Sequence, residues 1–214
     1  MNDYLKPGRF IDSDHPAVIA FAKEKAAGKS DRERAVSLYY AVRDGIRYNP
    51  FQNFMSDDVY RGSTCLERGQ GWCVPKAALL AACLRSIRIP ARVGFADVKN
   101  HLTSPELTKR MGTDLFVFHG YCDVLLEGKW VKATPAFNLG LCTKFRVKPL
   151  EFDGTEDSIF HPFDQDNRKH MEYVANRGTY ADVPVELIKR TFQQTYPDYY
   201  NLGPDAAKES FAPA

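Results

Sequence analysis

The sequence predicts an α+β fold, and two observations carry that reading. Helical patterns fill the first third of the chain and lead to an Ala/Leu-rich helix just after Cys73; alternating strands with a two-residue turn follow it, between residues 89 and 134. Asp14 and Pro16 open the first helix, which runs to about Gly28. Ser30 and Glu33 have the spacing of a capping box, and Ala35, Leu38, Tyr39, Val42 and Ile46 keep helical period after them. From Arg47 to about Gln70 the chain is aromatic and turn-rich, a loop region with short elements.

Lys76 to Ile87 is apolar on nearly all sides and should be buried and central. Pro75 is tolerated only in a first turn, so Cys73 stands at the N-terminal end of this helix. Ile89 to Ala96 reads as a strand, a polar loop comes next, and Leu115 to Leu126 reads as a long strand. Glu127-Gly128 turns the chain, and Lys129 to Thr134 return until Pro135 stops pairing. Residues 145–200 read as an extension packed around a core of about 30–140, with one amphipathic helix at about Pro184 to Thr195. The tail, 203–214, reads as disordered, and the whole 1–214 as one domain.

Composition narrows the function classes. Of 214 residues, 29 are Lys or Arg and 27 Asp or Glu, a formal net charge of +2 that argues against a phosphate-gripping nucleic-acid binder. No stretch approaches the roughly 18 apolar residues of a membrane helix. The first sixteen residues lack a signal peptide's apolar core, so a cytoplasmic location is expected. Cysteines at 65, 73, 83, 122 and 142 form no C-x-x-C pair and read as free thiols. The histidines have no metal-ligand spacing, so neither a metal nor another cofactor is expected.

The chemistry falls on Cys73. A cysteine in the first turn of a helix meets unpaired N–H groups and the positive end of the macrodipole, both of which favour the thiolate. Gly69 and Gly71 let a substrate approach the backbone, and Gln70 or Trp72 could add a donor to an oxyanion hole made of helix-start N–H groups. The base is His119. If Glu127-Gly128 is a two-residue hairpin turn, Tyr121 faces Thr134 and His119 faces Ala136, which puts Thr134 diagonal to His119 on one sheet face. Asn138 reaches the histidine from the other diagonal if the chain stays extended. Cys65, Cys83 and Cys122 read as structural, and His15, His101, His161 and His170 as solvent or structural residues.

Gly71-Trp72-Cys73 heading an Ala/Leu helix, then Arg85-Ser-Ile-Arg-Ile-Pro-Ala-Arg92-Val, resembles the core of the transglutaminase-like superfamily of papain-like cysteine enzymes. His119-Gly-Tyr-Cys-Asp-Val-Leu-Leu-Glu-Gly-Lys-Trp-Val-Lys-Ala-Thr-Pro135 resembles that family's histidine strand, hairpin and return strand. The resemblance implies a papain-like core, a buried nucleophile helix packed on an antiparallel sheet, and a Cys-His-Asp triad. This chain departs at the third position: the family's acidic residue falls just before the proline, where Thr134 stands. A hydroxyl can accept from the imidazole and fix its tautomer, but it cannot offset an imidazolium charge. Asn138 is the substitute orienter.

The expected activity is thiol-dependent acyl transfer or hydrolysis on a peptide, protein or other amide. Without calcium-loop signatures, a metal-independent amidase or peptidase is favoured over a calcium-driven cross-linker. The alternative is a catalytically degenerate fold that binds a peptide or protein in its groove.

Overall fold

The computed structural model describes residues 2–101, 105–160, 163–166 and 168–200. Its helices are α1 (Pro16–Lys25), α2 (Asp31–Gly45), α3 (Gly62–Arg68), α4 (Cys73–Ser86), α5 (Pro105–Met111), α6 (Leu139–Phe145), α7 (Val185–Thr195) and α8 (Pro197–Tyr200). A short parallel pair joins β1 (Arg47–Tyr48) to β2 (Gln70–Gly71). The main sheet holds β3 (Ala91–Asn100), β4 (Leu115–Leu126), β5 (Lys129–Ala133) and β6 (Met171–Tyr180) in the order β5-β4-β3-β6, all neighbours antiparallel. This is the α+β architecture the sequence predicts.

Helix α4 is the axis of the molecule. It packs against α1, α2 and α3 on one side and β3 and β4 on the other, and every residue from Cys73 to Arg85 is buried. A helix enclosed on all sides needs small and apolar side chains around its whole circumference, which the Ala/Leu composition supplies. Its buried Lys76 and Arg85 are the exceptions. Lys76 Nζ donates to Arg43 O at 2.9 Å and to Ile46 O, which satisfies carbonyls at the end of α2 and ties that helix to α4.

The capping box forms as read: Ser30 Oγ accepts from Glu33 N at 3.2 Å and Glu33 returns the bond to Ser30 N at 2.9 Å. At α1 the expectation needs correcting. Its N-cap is His15 in extended conformation with no side-chain cap bond, not Asp14, and the helix stops at Lys25 rather than near Gly28. Pro16 at the first position supplies the pre-set φ, so the helix starts without a side-chain cap. Helix α3 and the parallel pair are the short elements expected between Arg47 and Gln70, and the polar stretch after β3 contains α5.

The β4–β5 hairpin has the expected register, from Cys122↔Ala133 to Leu126↔Lys129. Glu127 and Gly128 have φ of 52° and 83°, the two positive values of a type I′ turn. Pairing ends at Ala133, so the predicted facings of Thr134 and Ala136 are not part of the ladder; instead Ala133 bridges Ser158 in parallel. The region after residue 145 does more than pack around the core, because β6 adds a strand to the edge of β3. The expected amphipathic helix is α7. The expected disordered tail, 203–214, lies outside the described residues.

Candidate active site

Cys73 is the first residue of α4, 7 % exposed, and follows Trp72 as N-cap. His119 comes from the middle of β4 and is 5 % exposed. The two side chains line one cavity of about 40 Å³. What brings them together is Gly120. A Cβ there would stand 3.0 Å from Val74 Cα and 3.4 Å from Cys73 C, so only a glycine lets β4 lie this close to the start of α4.

A second device sets the angle of His119. Ala96 pairs with His119 and Val98 with Phe116, so one residue of β3, Asp97, opposes two of β4. That is a β-bulge, and Phe118 within it has a φ of 54°, a left-handed conformation uncommon for an aromatic residue. The buried Asp97 carboxylate accepts from Phe118 N at 3.1 Å and from the Arg177 guanidinium at 2.6 to 3.0 Å. The guanidinium lies 5.1 Å from the centre of the Phe118 ring. Asp97 and Arg177 thus hold the bent backbone immediately before His119. Neither was singled out in the sequence, where nothing marks a bulge between two apolar runs. On its other side, the His119 ring meets Phe160 at 4.8 Å between centroids.

The electrostatics differ from the expectation of a ready thiolate. Burial pushes the Cys73 thiol up to about 11, although the N–H groups of Gly120, Val74 and Cys73 itself pull it down. Burial pushes the His119 imidazole down to about 3. Both groups are therefore uncharged at neutral pH in this closed arrangement. Desolvation of a site roofed by apolar side chains outweighs the helix terminus.

Thr134 is 1 % exposed, just past the end of β5, where its carbonyl accepts from Tyr39 Oη at 3.2 Å. Its Oγ1 and the Nε2 of His119 are both buried without a hydrogen-bond partner. The indole Nε1 of Trp72, whose ring packs edge-on against Phe54 and Tyr60, is a third such atom. Unmatched buried polar groups carry a cost of roughly 1–3 kcal/mol each, and two of these three residues, Trp72 and His119, line the cavity that Cys73 shares. Asn138 is used elsewhere: its Oδ1 accepts from Tyr48 N at 3.2 Å. Gln70 likewise gives its carbonyl oxygen to Arg47 and to Asn49 Nδ2, the latter at 3.3 Å.

The other titratable candidates lie apart from the pair. Cys65, Cys83, Cys122 and Cys142 are buried free thiols. His15 stands 3.8 Å from Glu67 and His101 3.3 Å from Glu172, His170 is buried with its ring 5.8 Å from that of Phe160, and His161 lies outside the described residues. Among the described residues no three His, Cys, Asp or Glu side chains are gathered as a metal site, and no helix is long and apolar enough to cross a membrane.

A buried helix bearing a cysteine at its head, packed on an antiparallel sheet bearing a histidine, defines the papain-like class of architecture. Residues 19–135 match the family model of the transglutaminase-like superfamily, and the chain belongs to that family. A solved structure from Cytophaga hutchinsonii, provisionally assigned as a cysteine protease, is similar at 13 % identity and a TM-score of 0.47. The alignment covers 83 % of this chain and 53 % of that one, so the chain spans about half the length of that protein. The curated proteins contain no match.

Proposed function

We propose that the protein is a thiol-dependent amidase, peptidase or acyltransferase in which Cys73 is the nucleophile and His119 the base. The observation that carries this reading is the shared cavity of the two side chains, made possible by Gly120. The thiol passes its proton to the imidazole as the sulfur adds to an amide carbonyl. The N–H groups of Cys73 and Val74, which face the Cys73 sulfur, would hold the oxyanion, with the unmatched Trp72 indole N–H as a further donor. Collapse to a thioester expels the amine, which takes the proton from His119, and water or a second amine then releases the acyl group. Thr134 Oγ1 orients the ring by accepting from Nε2–H, which would match two buried groups that are unmatched at rest. The substrate is a peptide, a protein or another amide.

The neutral state of the pair and the missing carboxylate favour a second reading, a binding module that has lost its chemistry. Incubation with a library of peptide amides, followed by mass-spectrometric capture of a thioester on Cys73, separates the two. A thioester that disappears in His119→Ala is expected. Its absence from every peptide, with peptide binding retained, would leave only the binding module.

A further inference from the structure

The wall of the cavity beside Cys73 carries information about the acyl group. Phe54 and Trp72, Leu107 and Met111 of α5, and Phe192 of α7 with Tyr196 all line it. Leu107, Met111, Phe192 and Tyr196 are all at least nine-tenths buried. No lining residue is an Asp, Glu, Lys or Arg. The hydroxyl of Tyr196 is already committed, donating to Leu115 O at 2.8 Å and accepting from Val117 N. Asp97 and Arg177, which flank Phe118, neutralise each other. Such a wall offers a substrate side chain dispersion contacts and no charge partner.

We propose that this cavity is the acyl side-chain subsite and that it selects a bulky apolar residue, branched aliphatic or aromatic, over glutamine, lysine or an acidic residue. The inference rests on Cys73 being the reacting thiol. At about 40 Å³ the cavity has room for water-sized occupants, so a side chain enters by displacing Leu107 and Met111. Met111 is suited to this, since an unbranched thioether re-packs around varied shapes. A glutamine side chain of nearly the same size as leucine could use the Trp72 indole N–H at most for its carbonyl, and would leave its amide N–H groups without a charged partner in the lining.

The test uses the full chain and acetyl-aminoacyl chloromethyl ketones with Leu, Phe, Gln, Lys or Glu side chains, with chloroacetone as a side-chain-free reference. In each, the Cys73 sulfur forms a bond to the methylene carbon, chloride leaves with the bonding pair, and the thiol proton goes to His119. Rates are read from the mass of the Cys73 peptide and divided by the rate with glutathione. The Leu and Phe reagents are expected to react at least about tenfold faster than the other three. Met111→Glu should reverse the order in favour of the Lys reagent. Should that chain not fold, Leu107→Ala, which enlarges the same cavity, should favour Phe over Leu. Equal or faster labelling by Gln, Lys or Glu, while chloroacetone labels Cys73 in a His119-dependent manner, would overturn the subsite and leave the thiol chemistry standing. Failure of chloroacetone as well would overturn both.

Discussion

Replacing Gly120 by alanine asks how much of the site depends on one close approach. Gly120 has no positive φ, so the substitution brings no backbone strain and acts by size alone. The new methyl would stand 3.0 Å from Val74 Cα, 3.3 Å from Val74 N and 3.4 Å from Cys73 C, all backbone atoms that cannot rotate away. Reaching the roughly 3.5 Å of ordinary contact requires the head of α4 to move off β4 by about half an ångström. Overpacking of this kind costs about 1–3 kcal/mol. The alanine also lowers the entropy of the unfolded chain, which offsets roughly 0.4–1 kcal/mol, so a net loss of about 1–2 kcal/mol is expected. A 1 Å misplacement of reacting groups costs about 100-fold, so half of that should slow thioester formation about tenfold. Urea unfolding with an unchanged slope measures the first quantity, and mass-spectrometric thioester accumulation measures the second. Stability within about 0.5 kcal/mol of the parent together with an unaltered rate would refute the reasoning, since it would mean that the strand and helix are free to part.

Three further outcomes are expected. Thr134→Val keeps shape and removes an unmatched buried hydroxyl, so it should stabilise the chain by about 1 kcal/mol while lowering the rate of thioester formation; a rate that does not change would show that Thr134 does not orient the ring. Because the folded His119 is held down at about 3, the unfolded chain binds its proton between about pH 3 and 6.5 and the folded chain does not. Stability should therefore rise with pH across that window by up to about 1.4 kcal/mol per unit, and urea midpoints of His119→Gln should lack that component; superimposable pH curves would contradict it. Asp97→Asn leaves the partly exposed Arg177 without its carboxylate and weakens the bond to Phe118 N, so a loss of about 2–3 kcal/mol is expected in thermal or urea unfolding. A rate that recovers fully in the folded fraction would mean that the bulge does not set the histidine.

What could be read from the residues and what could not divides along a physical line. The hairpin was legible because a two-residue turn fixes register, and α4 because an enclosed helix has no polar face to write. The strand β6 was hidden: from Glu172 to Asn176 its side chains are exposed on both faces, so no apolar alternation marks it. Phe118 gave no signal either, since a left-handed phenylalanine is enforced by Asp97 across the sheet and not by its neighbours in sequence. The pair Cys73 and His119 was found from helix-start placement and strand phase, but its neutral state depends on α5, α7 and Tyr196, which arrive from the polar stretch and from the far end of the chain.

That last dependence has a consequence for the order in which the molecule comes to life. Cys73 is encoded about a third of the way along the chain, whereas the part of its cavity wall formed by Phe192 and Tyr196 is translated more than a hundred residues later. β6 must likewise wait before it can close the edge of β3. Contacts this distant in sequence form late and slowly. A nascent chain that has not yet added Phe192 and Tyr196 therefore carries Cys73 beside an incomplete cavity wall.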